Sequence, residues 1–195
     1  MSEKTSKFTK GLKKYGYWIA LVLAIGVLAL ILGLASTYSK GSPAPENPNQ
    51  QVSVDDMKFV SPVANVSLLK DYSNTALQYS KTLKQWEAHK AIDFAAEEGT
   101  DVMAVLDGTI TEVSYNYLMG NVVKLDVGNG LVVVYKSLAN DVPVKVGDKV
   151  KKGDVIAKVG NTAKSEVSDG AHLHLETWLN GENVDPNNYL DLGEK

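Results

Sequence analysis

The chain has 195 residues, 44% of them hydrophobic and 22% charged, with a net charge of -3. That length accommodates one membrane anchor and one ordinary domain, not two large ones. Cysteine and arginine are both absent, which excludes disulfides, thiolate catalysis, Cys-ligated metals and arginine forks to phosphate or carboxylate.

The charge is unevenly placed. Lys4, Lys7, Lys10, Lys13 and Lys14 against Glu3 give residues 1–14 a charge of +4, so the remainder sums to -7. An acidic main domain is a poor partner for nucleic acid, where neutralising phosphate supplies much of the affinity.

Residues 15–39 carry no charge, and their core from Trp18 to Ala35 is apolar almost throughout. About 20 apolar residues span the hydrocarbon region as a helix. Tyr15, Tyr17 and Trp18 at one end and Tyr38 at the other suit the two interfacial belts. The lysines precede this segment, so the positive-inside rule expects residues 1–14 in the cytoplasm and the rest outside, on a single-pass transmembrane helix. The alternative is a cleaved signal peptide, with Gly33-Leu34-Ala35 as the cleavage site. The apolar run is longer than an ordinary signal h-region of about 7–15 residues. Residues 40–57 hold Pro43, Pro45 and Pro48, half of the prolines in the chain, and read as an extended spacer. Residues 58–195 then form the extracytoplasmic domain.

That domain reads as all-β. Residues 102–106 and 109–113 flank Asp107-Gly108, and residues 121–127 and 131–135 flank Gly128-Asn129-Gly130; each is a hairpin signal. Residues 144–150 alternate apolar and polar, Lys152-Gly153-Asp154 turns into 155–159, and 172–179 turns at Asn180-Gly181. The stretch from Val146 to Gly153 also occurs in biotinyl and lipoyl carrier domains, but no Met-Lys-Met hairpin is present to carry the group. No internal repeat, phosphate-binding glycine loop or Gly-x-Ser-x-Gly elbow is found.

All three histidines fall in two short motifs, His89-Lys90-Ala91-Ile92-Asp93 and His172-Leu173-His174. On a strand, residues two apart share a face, so His172 and His174 look into one site. Two imidazoles and a carboxylate suit a catalytic zinc centre that leaves its fourth position to water. A His-x-His pair on a strand is more often ordinary polar structure; the economy of three histidines with none spent elsewhere favours the metal.

His89-x-x-x-Asp93, Gly147-Asp148-x-Val150-x-x-Gly153 and Gly170-Ala171-His172-Leu173-His174-Leu175-Glu176 together resemble the lysostaphin-like, LytM-type zinc metallopeptidases, over about residues 76–190. The resemblance implies an antiparallel β-sheet domain with one zinc ion on His89, Asp93 and His174. It implies a catalytic role for His172, and cleavage of peptide cross-links in peptidoglycan. One departure bears on activity. The family places a second catalytic histidine in Tyr-x-His-Leu, where this chain has Tyr135-Lys136-Ser137-Leu138. Ser137 can neither take a proton near neutral pH nor offer an imidazolium to an oxyanion, and losing one such donor costs about 10²–10³ in rate. Ala91 stands where the family usually has glycine, which matters only if the backbone there needs positive φ.

The anchor, the spacer, residues 79–86 (YSKTLKQW) and the substituted motif are similar to membrane-anchored members of that family from endospore-forming bacteria. There the domain binds a partner protein across an intermembrane space. The expected function is therefore a zinc-holding interaction scaffold in the cell or forespore membrane. An active peptidoglycan endopeptidase and a metal-free binding or carrier domain are the alternatives.

Overall fold

The computed structural model describes residues 57–190 and the isolated Leu21. Among the described residues no helix is long and apolar enough to cross a membrane. The expected tail over 1–14, anchor over 15–39 and spacer over 40–57 lie outside them, apart from Leu21 and Met57.

Twelve strands follow in chain order: β1 (Leu68–Lys70), β2 (Ser73–Ser80), β3 (Gln85–His89), β4 (Ile92–Ala95), β5 (Asp101–Met103), β6 (Gly108–Asn116), β7 (Gly120–Gly128), β8 (Leu131–Leu138), β9 (Lys149–Val150), β10 (Val155–Lys158), β11 (His172–Leu179) and β12 (Glu182–Val184). Eight build one sheet in the order β1-β4-β11-β8-β7-β6-β9, with β12 also paired to β11. Every paired strand is antiparallel to its neighbour, as the all-β expectation requires. Two smaller ribbons, β2-β3 and β5-β10, stand beside it.

The side-chain alternation of a strand sorts the large sheet into two faces. Leu131, Val133 and Tyr135 of β8 and Leu173 and Leu175 of β11 are fully buried in the core, together with Ile92, Phe94, Val123 and Leu125. The other face carries Lys136 of β8 and His172, His174, Glu176 and Trp178 of β11. A one-residue slip would send the histidines into the core, so burial of the leucines fixes where the imidazoles point. Tyr135, itself fully buried, accepts a hydrogen bond at its hydroxyl from Val105 N at 3.0 Å.

Two hairpins form as the sequence predicts. Asn129 and Gly130 (φ 54° and 75°) turn β7 into β8, and Asn180 and Gly181 (φ 52° and 84°) turn β11 into β12. Positive φ at both central residues matches the twist of the flanking strands. The expected hairpin across Asp107-Gly108 does not form. β5 pairs with β10, Val102 facing Ala157, while β6 pairs with β7 and β9. Val102, Ala104 and Val105 are all fully buried, so this segment runs through the core rather than alternating along a two-sided hairpin. In residues 144–150 only Lys149–Val150 is strand; Gly147, at φ 94°, turns the chain before it.

Candidate metal centre

β4 lies between β1 and β11, and their registers align a row of side chains across the sheet. Lys70 faces Asp93, Asp93 faces His174, and His174 faces Lys136. His89 ends β3, and the two residues Lys90 and Ala91 carry the chain into β4, bringing His89 Nε2 to 3.1 Å from Asp93 Oδ2. Ala91 is fully buried and does not have positive φ, so its departure from glycine strains nothing.

The structure thus brings together the three residues expected to hold metal, and adds a fourth. His174 Nδ1 is 2.9 Å from Asp93 Oδ1. Glu166, from the loop ahead of β11, places Oε2 3.2 Å from His174 Nδ1 and Oε1 3.8 Å from His89 Nε2. His89, Asp93, Glu166 and His174 each offer one ligand atom, all within 4.8 Å of one another. His89 Nε2, His174 Nδ1 and both Asp93 oxygens are buried without a hydrogen-bond partner, although they approach within 2.9–3.1 Å. Atoms that approach without aligning as donor and acceptor converge on a common centre. Ligands around a tetrahedral ion with bonds of about 2.0–2.1 Å stand about 3.3 Å apart, so the donor set fits a metal cation.

Outer contacts orient the imidazoles. His89 Nδ1 lies 3.1 Å from the Asp71 carbonyl, which leaves Nε2 to the centre. His174 Nε2 lies 3.3 Å from Glu176 Oε1, a carboxylate that also accepts from Lys136 Nζ and, at 2.8 Å, from Trp178 Nε1. A carboxylate behind a ligating histidine fixes its tautomer and raises its basicity. The rings of His89 and His174 meet edge to face at 5.4 Å. Burial pushes the Asp93 and Glu176 carboxyls up, but contacts with His174, joined by His89 at Asp93 and Lys136 at Glu176, hold both at about 2. Burial likewise opposes ionisation of Glu166, and its contacts with His172 and His174 hold it well below the usual carboxylate range. Burial lowers His174, yet Asp93, Glu166 and Glu176 raise it well above its ordinary value. These carboxylates favour positive charge at the centre, whether protons on the imidazoles or a cation among them.

His172 is fully buried beside this set. Its Nδ1 lies 2.8 Å from the Gly170 carbonyl, and its Nε2 faces Glu166 Oε2 at 3.5 Å. Ser137 is also fully buried, near the end of β8 at φ 60°. Its carbonyl accepts from Gly160 N at 2.9 Å, and Gly160 bridges His172. Ser137 Oγ makes no hydrogen bond among the described residues, so satisfying a strand-end backbone group does not account for the serine. From Glu176, Lys136 and Trp178 an open groove of about 700 Å³ extends along the sheet past Val134 and Tyr115.

Sequence reading missed Glu166, Lys70 and the role of Glu176. Glu176 carried a signal, being two residues from His174 on the same strand face. Glu166 sits in an irregular loop, and Lys70 is brought to the centre by the pairing of β1 with β4.

The sheet, the two histidine motifs and the convergent donors define an M23-type metallopeptidase fold. The model for Peptidase family M23 matches residues 87–186, and the chain belongs to that family. Within it the chain is similar to Stage II sporulation protein Q of Bacillus subtilis, 35% identical over 139 residues, which are 65% of this chain and 47% of that protein. The solved SpoIIQ-SpoIIIAH pore-forming complex contains a similar chain, with 32% identity and a TM-score of 0.60 over 69% of this chain and 92% of that one. Peptidoglycan DD-endopeptidase ShyC of Vibrio cholerae is 35% identical over 102 residues, 52% of this chain and 23% of that protein. The chain therefore spans about half or less of the length of these curated relatives.

Proposed function

We propose that this chain is a single-pass membrane protein whose M23 domain holds one zinc ion on His89, Asp93 and His174 and serves mainly as an extracytoplasmic docking scaffold in endospore formation. The carrying observation is a donor set that is complete while Ser137, buried and with its hydroxyl unbonded, stands where an active family member has an imidazole. Likeness to SpoIIQ, solved in complex with SpoIIIAH, supports a protein partner resembling SpoIIIAH. The uncharged segment 15–39 behind five lysines supports the anchor and a cytoplasmic N-terminus. Zinc, when bound, would polarise a carbonyl or acidify a water; here its part is to tie three strands together.

The second reading, a working peptidoglycan endopeptidase, is favoured by His172. Its Nδ1 contact with Gly170 leaves Nε2 facing the centre, as a catalytic base needs. The two readings separate on the full-length chain in nanodiscs. The scaffold reading expects saturable binding of a purified SpoIIIAH-like ectodomain and no soluble fragments from purified peptidoglycan with zinc present. Digestion at the rate of an active M23 enzyme, without partner binding, would replace it with the enzyme reading.

A further inference from the structure

Glu166 turns its carboxylate toward the three expected ligands. Its Oε2 is 3.2 Å from His174 Nδ1 and 3.5 Å from His172 Nε2, and its Oε1 is 3.8 Å from His89 Nε2. One carboxylate thus faces two candidate ligands and the candidate catalytic histidine together. We propose that Glu166 is a fourth protein ligand that closes the metal centre and shields His172, making the site a sealed structural one. The proposal rests on the zinc reading above and deepens it.

Charge supports the closure. Asp93 and Glu166 supply two negative charges to the donor set, and two neutral imidazoles complete it, so a dication leaves the four ligands neutral overall. The two other nearby acids have their own cations, Asp169 with Lys70 Nζ at 2.6 Å and Glu176 with Lys136 Nζ. The same ammonium lies 3.8 Å from Asp93 Oδ2 and 4.0 Å from Glu166 Oε1 and draws both carboxylates to one side of the centre.

The loop that presents Glu166 is pinned, which separates a ligand from a passing side chain. Thr162 Oγ1 accepts from Asn121 N at 3.1 Å and donates to the Leu138 carbonyl at 2.7 Å. Lys164 N and Ser165 N donate to the carbonyls of Tyr117 and Leu118 in the β6–β7 turn, and Ser165 Oγ donates to Leu118 as well, at 2.7 Å. Beyond Glu166, Ser168 N donates to Thr82 Oγ1 in the β2–β3 turn at 3.0 Å. Gly120, at φ 72°, lets the loop close down: a Cβ there would meet Thr162 Oγ1 at 2.2 Å and Ala163 N at 2.7 Å. Two hairpins thus hold the loop on both sides of Glu166, and its side chain is 16% exposed.

The test is cobalt loading of the full-length chain in detergent micelles, with azide as a small anion that enters an open coordination position. The parent should give a four-coordinate visible band that azide leaves unchanged. Glu166→Ala should give a band that azide shifts. It should also bind Co²⁺ more weakly by more than the roughly 10–100-fold that loss of an outer partner costs, measured by chelator competition. Glu166→Gln keeps the volume and the loop, so it should weaken Co²⁺ binding while the metal-free chain keeps the parent's far-ultraviolet sheet spectrum. If azide shifts the parent band as it does that of Glu166→Ala, or if both bind Co²⁺ equally, Glu166 is no ligand and the site is open. If the parent takes up no Co²⁺, the zinc reading itself fails and closure falls with it.

Discussion

Replacing Ser137 with histidine and Glu166 with alanine, singly and together, asks which of two obstacles silences hydrolysis. Ser137 already holds φ 60°, a left-handed conformation that histidine adopts more readily than most side chains, so the backbone accepts the new ring. A second imidazole near His172 restores one oxyanion donor, worth about 10²–10³ in rate or about 2.7–4 kcal/mol. Ser137 is fully buried and the ring must displace its neighbours, which places the gain at the lower end. With Glu166 as the proposed fourth ligand, its Oε2 3.2 Å from His174 Nδ1, the centre would leave no position for a water or substrate carbonyl. Ser137→His alone should therefore leave hydrolysis near background, as should Glu166→Ala alone. The double variant should exceed Glu166→Ala by about 10²-fold, a coupling that independent sites do not show. The assay is release of soluble peptide fragments from purified peptidoglycan by the zinc-loaded full-length chain. If Ser137→His alone matches the double variant, Glu166 obstructs nothing. If the double variant matches Glu166→Ala, the missing imidazole is not what limits the chemistry.

Glu176→Gln should weaken zinc binding by about 10–100-fold, since it removes the charge behind His174 Nε2; chelator competition reads this directly. Glu176 is held at about 2, below the ordinary glutamate value of 4.5, so its contribution to stability is present above pH 4.5 and fades as pH falls toward 2. In metal-free protein the melting gap between parent and Glu176→Gln should close over that interval; a gap that widens on acidification would contradict the assigned contacts. Tyr135→Phe should cost about 1–3 kcal/mol by leaving the Val105 amide unpaired in the core, measured by denaturant titration, and an unchanged midpoint would refute that bond. Adding a strong chelator should lower the melting temperature of the parent and leave His89→Ala untouched, because ligand binding to the native state stabilises it by mass action; equal melting with and without chelator would count against the metal.

Legibility in the sequence followed whether the signal was local. His172 and His174 share a face because they are two apart on a strand, and the Asn-Gly turns at 129–130 and 180–181 carry their own backbone preference. His89 and Asp93 are four apart, the spacing of neighbours on a helix face, yet they meet across a two-residue link between strands. The register of β4 against β11 then sets Asp93 beside His174, a pairing no local spacing announces. The ribbon of β2 and β3 escaped notice because Leu77, Tyr79 and Trp86 are exposed, so no buried face imposed an alternating pattern. Asp107-Gly108 misled because a turn dipeptide states that the chain bends, not which strand it will pair with. Glu166 was invisible because its position depends on hydrogen bonds to Tyr117, Leu118 and Thr82, each far away in the chain.

The strand order bears on when the centre can assemble. β11 is among the last strands made, yet it inserts between β4 and β8, so Asp93 and His174, 81 positions apart in the chain, become neighbours only when the sheet closes. An unfolded chain offers the ion two separate pairs, His89 with Asp93 and Glu166 with His174, divided by 73 positions. Contacts this distant form late, because loop closure must be met before they contribute. Ion uptake should therefore trail the growth of sheet signal during refolding, and a chain that stops short of His174 has no complete centre to fill.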